Sequence, residues 1–391
     1  MIDDLAQLTP DLAALGWTDD LEAWAAEESE ELVAELGDEA ELRPGRIARV
    51  SRGFSVVFTG GDAVLAASAS IRGQTETDPA TGDFVLVADH DPDEVQEDGP
   101  TLAAIAPRRS ALTRRAAGRV PEPQVLAANI DDVFVLHGLD RDLNLRRIER
   151  QLVVAWDSGA EPVVVLTKAD TVDEPEAVVD EVAAVAPGVA VLAISTVTDR
   201  GIDRVAERVV GGRTVAMMGL SGVGKSTLVN RLTGGVVQRT GEVRAADRRG
   251  RHTTVTRDLI PIPGGGMMID TPGLREIGLW QAYEGLARTF PEISGEVGHC
   301  RFADCDHENE PGCAVRAAVA DGLIPHRRLE HWQDLRAELA LQETQLEEYA
   351  RRSESRDRAE AERRRDDERS NTRRRSQAGR RRKQRKSPRR R

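Results

Sequence analysis

VAMMGLSGVGKST, residues 215–227, decides how this chain folds. Within it, Gly219-Leu220-Ser221-Gly222-Val223-Gly224-Lys225-Ser226 satisfies the GxxxxGK[ST] spacing of a phosphate-binding loop. That motif has mechanical meaning only between a strand and a helix. Both are legible here: the apolar run VAMM precedes it, and STLVNRL follows it with helical spacing. The glycines let backbone N–H groups wrap phosphate oxygens. Lys225 places a cation near the β- and γ-phosphates, and Ser226 offers a hydroxyl to Mg²⁺. Thr227 closes the stretch in the first turn of a helix whose N-terminus faces the anion. The motif predicts a nucleoside triphosphate on an α/β sheet and does not choose the base.

Reading downstream, Asp270-Thr271-Pro272-Gly273 follows the apolar strand end GMMI. Asp270 is placed to hold Mg²⁺ through water, and the Gly273 N–H to touch the γ-phosphate. Between the two motifs lies GRHTTVTRD, residues 250–258. A threonine there completes the Mg²⁺ shell and senses the γ-phosphate; Thr254 is the expected residue, with Thr253 the adjacent alternative. Many GTPases orient the attacking water with a glutamine just after DxxG. Leu274 stands at that position and polarises nothing, so intrinsic turnover is expected to be slow. His252 is a candidate for positioning the water; its other reading is a surface histidine that contacts RNA.

Reading upstream, VVVLTKAD ends at Asp170. A carboxylate there accepts from both N1–H and N2–H₂ of guanine, a pattern that adenine does not offer. Lys168 lies along the base plane, Ala169 follows it, and Thr167 stands where the usual NKxD motif has asparagine; its hydroxyl is expected to donate to a guanine acceptor. Ser195 ends the strand VAVLAI and matches the second base loop, where a backbone N–H meets guanine O6. The base reader therefore precedes the phosphate loop, the reverse of the ordinary order. The chain reads as a circularly permuted GTPase.

The surrounding pattern agrees. From residue 125 on, apolar strands (DDVFVLHGLD, EPVVVLTKAD, VAVLAISTVT, RTVAMMG) alternate with helical stretches (NLRRIERQLVVAWDSG, EPEAVVDEVAAVAPG, GIDRVAERVVG). Such alternation implies a parallel sheet covered on both faces. Before it, residues 44–107 are short β-type runs separated by Gly, Asp and Pro, the pattern of a small barrel, and an OB-type barrel fits the length. Arg43, Arg46, Arg49, Arg52 and Arg72 are expected to give it positive charge. Phe54, Phe58 and Phe84 are its aromatics, so backbone and shape contacts with RNA are expected more than base stacking. In LEAWAAEESEELVAEL, Leu21, Trp24, Ala25 and Leu32 recur at helical spacing and predict a small docked helix.

HCRFADCDHENEPGCAV holds Cys300, Cys305, His307 and Cys313 in the spacing C-x4-C-x-H-x5-C. Three thiolates and an imidazole make a closed tetrahedral site suited to one structural Zn²⁺; His299 is adjacent and surplus. These are the chain's three cysteines, so no disulfide framework is expected and a reducing, cytoplasmic setting is. The acidic start MIDDLAQLTPDLAALGW lacks the features of a signal peptide, and no run reaches the length of a membrane span. Formal net charge is −13, but no Lys or Arg precedes Arg43, whereas residues 372–391 carry twelve and no acid. Such a tail suits a polyanion.

Taken with TKAD, GLSGVGKST, GRHTT, DTPGLRE and HCRFADCDHENEPGCAV, the chain over roughly residues 43–340 resembles the ribosome small subunit-dependent GTPase A family. The fold expected is multidomain: an acidic extension (1–42), an OB-type β-barrel (43–112), a circularly permuted α/β P-loop GTPase (113–283), a small α-rich zinc domain (284–345) and a basic disordered tail (346–391). The resemblance implies a monomeric GTPase with Mg²⁺ that binds the small ribosomal subunit and its rRNA late in maturation and is stimulated by it, GTP and GDP being the ligands. An RNA-binding scaffold, with GTP a mainly structural ligand, is the alternative. A permuted GTPase serving the large subunit is disfavoured by the barrel and zinc arrangement.

Overall fold

Short apolar runs build the barrel and the larger sheet, and the strands of the latter, such as VFVL and VVVL, are buried along nearly their whole length. The structure, a computed structural model, describes residues 10–36, 41–68, 78–89, 99–115, 123–235, 257–270 and 279–352. The chain divides into two units: Met1–Ala116 with Glu122–Leu339, and Ala117–Pro121 with Ala340–Arg391. The described part of the second, residues 340–352, is helical. All else below concerns the first.

The acidic extension forms helix α1, Asp19–Leu36. Strands β1 (Leu42–Ser51), β2 (Phe54–Phe58), β3 (Ala63–Ala67), β4 (Phe84–Ala88) and β5 (Thr101–Ile105) close a barrel in the order β1-β2-β3-β5-β4. Only the β3–β5 pairing is parallel, as OB-type connectivity requires. Ile47, Val57, Val85, Val87 and Leu102 fill the interior. Their alternates on β4, Phe84 and Leu86, point outward and are covered by α1 through Leu21, Ala25 and Leu32, with Trp24 half-buried beside them. Each such aliphatic burial stabilises by roughly 1.5–3 kcal/mol, which accounts for the docking of so acidic a helix.

A hairpin of β6 (Ala111–Arg115) and β7 (Pro123–Ala128) leads out of the barrel. The sequence reading did not distinguish it, and it straddles residue 112. The second sheet has β8 (Asp132–Gly138), β9 (Glu161–Thr167), β10 (Ala190–Ala193), β11 (Thr214–Gly219), β12 (Asp258–Ile262) and β13 (Gly266–Asp270), in the order β10-β9-β8-β11-β13-β12. It is parallel except for β12, which runs antiparallel to β13. Helices α2 (Leu145–Asp157), α3 (Pro175–Ala183), α4 (Ile202–Ala206) and α5 (Lys225–Thr233) make the crossovers. The alternation of the strands sorts them: Phe134, Val163 and Met217 pack with Val205 of α4 and Leu228 of α5, while Val133, Val164 and Met218 pack with Ile148 and Leu152 of α2.

Helices α6 (Tyr283–Thr289), α7 (Pro291–Val297), α8 (Ala314–Ala320) and α9 (residues 326–339) follow. α6 packs on α2 closely enough that a Cβ on Gly285 would lie 2.0 Å from Val153 O. Beneath them, Arg328 donates to Glu149 Oε1 (2.8 Å), Val185 O and Thr289 O, and also pairs with Glu292. His331 Nδ1 is 2.5 Å from Glu149 Oε2. Arg150 of α2 pairs with Glu338 of α9.

The barrel is fastened to the sheet by the arginines expected to serve RNA. Arg46 is wholly buried and donates to Leu15 O, Gly82 O, Asn129 O and Thr214 Oγ1. Arg49 makes a two-pronged pair with Asp258 of β12, and Arg43 pairs with Asp89. These three are committed within the molecule. Arg52 is exposed, and Arg72 lies outside the described residues. A bulge in β1 between Ile47 and Arg49 explains why residues three apart, which a regular strand sends to opposite faces, both reach the neighbouring domain.

Candidate nucleotide site and metal centre

The phosphate loop follows from strand geometry. β11 ends at Gly219, where φ is +155° and an added Cβ would lie 2.7 Å from Leu136 O of the neighbouring strand. Gly222 (φ +79°) and Gly224 (φ +101°) complete the turn, with Leu220, Ser221 and Val223 between, and Gly224 immediately precedes α5. Lys225 Nζ folds back over the loop, donating to Gly219 O (2.7 Å) and Leu220 O (2.9 Å). Ser226 and Thr227 lie in the first turn of α5.

The base-reader motif stands beside it because β8 separates β9 from β11 by one strand. Lys168 adopts a left-handed φ of +59° and reverses the chain into a short 3₁₀ turn, Ala169–Thr171. Ala169 is buried, its N–H on Ile194 O. Ser195 Oγ donates to Asp170 Oδ1 at 2.5 Å and accepts from the N–H groups of Val197 and Thr198. The N–H of Ser195 itself donates to Arg200 O, so this serine steadies Asp170 through its hydroxyl.

Thr167 does something other than expected. Its hydroxyl lies 2.5 Å from Val223 O, buried, and is thus committed to the phosphate loop instead of a guanine acceptor; His137 O is a longer 3.3 Å away. A Cβ on Gly224 would meet Thr167 at 3.8 Å. One short donor at this place suffices to tie the base reader to the phosphate loop, and a hydroxyl does that as well as an amide.

Lys168 Nζ donates to Asp140 Oδ2 at 2.6 Å, and this partner holds the Asp140 carboxyl below the usual aspartate range. The sequence reading passed over Asp140. The available signal was its place just beyond the carboxyl end of a strand in a parallel sheet, where ligands of such sheets gather.

β11 and β13 are parallel neighbours, Ala216 beside Ile269, so Ser226, beyond β11, and Asp270, the last residue of β13, lie at strand ends on the same edge. A hydroxyl and a carboxylate are hard oxygen donors of the kind Mg²⁺ takes. His252, Thr253, Thr254, Gly273 and Leu274 lie outside the described residues.

The second centre is built by the loop between α7 and α8. Cys300, Cys305, His307 and Cys313 bring four donor atoms within 4.8 Å of one another. Cys300 Sγ and Cys313 Sγ are 3.9 Å apart, and each is 3.5 Å from His307 Nδ1. A tetrahedron with metal–sulfur bonds of about 2.3 Å has sulfur–sulfur edges of roughly 3.8 Å, so the set fits a closed tetrahedral ion. Burial, helped by Arg336, pushes the His307 pKa down and keeps the imidazole a neutral ligand. Its ring stands edge-on to Trp332, and Gln333 donates to its carbonyl, so α9 orients the ligand. Cys313 also accepts the Arg316 N–H at the start of α8.

The RsgA GTPase family model matches residues 105–280. A small ribosomal subunit biogenesis GTPase RsgA of Methanosarcina acetivorans is 41% identical over 304 residues, covering 78% of this chain and 81% of that protein. The chain belongs to the RsgA GTPase family. Another RsgA, from Streptomyces coelicolor, is 43% identical over 334 residues, 84% of this chain and 86% of its own. The crystal structure of YjeQ from Thermotoga maritima superposes with a TM-score of 0.57 at 27% identity, covering 77% of this chain and 99% of that one. YloQ, described as a circularly permuted GTPase, shares the fold at a TM-score of 0.55 and 22% identity, covering 77% and 96%. The permuted order read from the sequence is thus the order of a fold shared with these structures, and the Cys₃His cluster is a site able to hold a metal. No described helix is long and apolar enough to cross a membrane.

Proposed function

We propose that this chain hydrolyses GTP and serves late maturation of the small ribosomal subunit, binding its rRNA and being stimulated by it. The observation carrying the reading is the Thr167–Val223 bond, which joins the base reader to the phosphate loop in a single permuted site. The relatives' names, small ribosomal subunit biogenesis GTPase, support the choice of partner. Asp170, steadied by Ser195, reads guanine N1–H and N2–H₂. Lys225 and the N–H groups of residues 219–224 hold the phosphates, and Ser226, Thr254 and Asp270 would hold Mg²⁺, whose chemistry there would be to supply positive charge to the phosphates. Gly273 contacts the γ-phosphate, and His252 positions the water in place of the glutamine that Leu274 replaces.

Zn²⁺ is the ion we assign to Cys300, Cys305, His307 and Cys313, as a structural clamp on the domain at 284–345. The barrel at 43–112 and the basic tail at 346–391 are the surfaces assigned to RNA, around the permuted GTPase at 113–283. The protein is taken to act as a cytoplasmic monomer. GTP turnover measured with and without purified small subunits tests the reading. A large stimulation, abolished in Lys225→Ala, is expected. Unchanged slow turnover would leave an RNA-binding scaffold with GTP as a structural ligand.

A further inference from the structure

Strand β8 is the middle of the nucleotide edge. In the order β9-β8-β11 it separates the strand that ends in the base reader from the strand that ends in the phosphate loop. All three are parallel, so their carboxyl ends open on one side, where ligands of open α/β sheets bind. The segment leaving β8, residues 139–144, therefore lies between the two reading loops. Its charged residues bridge to both of them. Asp140 Oδ2 accepts from Lys168 Nζ at 2.6 Å. The Arg141 guanidinium reaches the phosphate loop: a Cβ on Gly222 would sit 3.7 Å from Nη2, with no other contact noted within 4 Å. Asp140 Oδ1 and Arg141 Nε are 3.5 Å apart, so one carboxylate stands between two cations and the trio keeps one positive charge in excess.

We propose that Asp140 and Arg141 are nucleotide-site residues of this chain, Arg141 as a cation for the α- and β-phosphates at Gly222 and Asp140 as the positioning residue that holds Lys168 along the guanine plane. The loop backbone cradles the α- and β-phosphates, and Lys225 reaches the β- and γ-phosphates. A cation over Gly222 therefore serves the part of the nucleotide that GDP and GTP share. A guanidinium fork matches phosphate oxygens better than any other side chain. The Arg141 side chain is 44% exposed and its Nε faces Asp140 Oδ1, so the guanidinium is held in place at one edge and open to solvent. Lysine has a long flexible stem, and without a fixed partner its ammonium samples many positions. Asp140 removes that freedom. Gly138 makes room for it, since a Cβ there would lie 2.5 Å from Asp140 Oδ1.

The inference rests on the guanine-nucleotide reading of the two loops, and titrations of the full chain separate the two. The probes are GDP, ADP and a non-hydrolysable GTP analogue, each with Mg²⁺. Arg141→Gln is expected to weaken GDP and the GTP analogue alike, by about tenfold, the scale of one exposed charge-assisted hydrogen bond. Asp140→Asn is expected to shrink the preference for GDP over ADP several-fold, with Asp140→Glu restoring part of it; a residue that merely supported the fold would move Tm and leave that ratio alone. Arg141→Gln binding within twofold of the parent, or weakened for the GTP analogue alone, overturns the phosphate assignment. An unchanged GDP-to-ADP ratio in Asp140→Asn overturns the positioning role. Lys225→Ala is the control: if it binds GDP as well as the parent, the loop assignment itself fails. If it loses GDP while both new variants bind normally, only this inference fails.

Discussion

Two buried arginines fasten the appended domains to the GTPase sheet, and their charges are met in different ways. Arg46, at the barrel joint, donates to three backbone carbonyls and one hydroxyl, with no carboxylate among its hydrogen-bond partners. Arg328, at the joint with the C-terminal helices, holds two carbonyls and two glutamates, Glu149 and Glu292. Each lies over a phenylalanine, Phe84 at 4.5 Å and Phe290 at 4.6 Å from the ring centroid. Burial pulls Arg46 down to about 9, still far enough above neutral pH for it to stay charged. The comparison teaches that a buried cation can be stabilised by oriented neutral dipoles or by counter-ions. The two solutions fail differently. Removing a dipole-held arginine strands carbonyls that belong to the backbone and cannot be edited. Removing an ion-paired one strands a carboxylate that a second substitution can neutralise.

The largest effect expected is at Arg46. Arg46→Met should cost about 4 kcal/mol in chemical unfolding, because four buried acceptors each lose a donor at once, Gly82 O keeping a second one from Asn129 Nδ2. Asp131→Asn, which removes the strongest attracting charge, should not relieve it. Arg328→Met comes next at about 3 kcal/mol, since it takes the guanidinium from Glu149, whose side chain is 4% exposed, and leaves His331 as its remaining partner. Here Glu149→Gln in the same chain should recover about 1 kcal/mol or more, read as a non-additive double-mutant cycle. Equal rescue at both joints, or at neither, would erase the distinction.

The smallest effect lies at Arg150–Glu338, beside Arg328 but one-third exposed on both sides. Arg150 holds Glu338 below the ordinary glutamate value of 4.5. The folded form thus binds that proton less readily than the unfolded form. The contribution is complete above pH 4.5 and is lost as pH falls through the lower folded value. Exposure limits it to below about 1 kcal/mol. The Tm gap between the parent and Glu338→Gln should be open at pH 7 and narrow as pH falls below 4.5; a gap independent of pH would mean that the pair contributes nothing.

The arginines of β1 show where sequence reasoning stopped. Arg43, Arg46, Arg49 and Arg52 look alike at a spacing of three, and a charged strand in a small barrel reads as a surface for nucleic acid. One bulge between Ile47 and Arg49 directs two of them to a neighbouring domain instead. Thr167 is a similar case. The motif marks the position, but its partner, Val223, is 56 residues away in sequence and is brought near only by the strand order.

What the sequence by itself determined was local: glycines where a backbone must turn left-handed, short apolar runs alternating with helical stretches, four metal-ligating side chains within fourteen residues, and the order of motifs that marks a permuted domain. These depend on near neighbours and on the stereochemistry of single residues, so a linear reading reaches them. The tertiary structure alone decided which charges face solvent, which hydroxyl ties two loops, and that Asp140 meets Lys168 while Arg141 reaches the phosphate loop. Those outcomes depend on groups far apart in the chain. Desolvation on folding makes an unpartnered buried polar group costly, and only packing determines which partner is in reach.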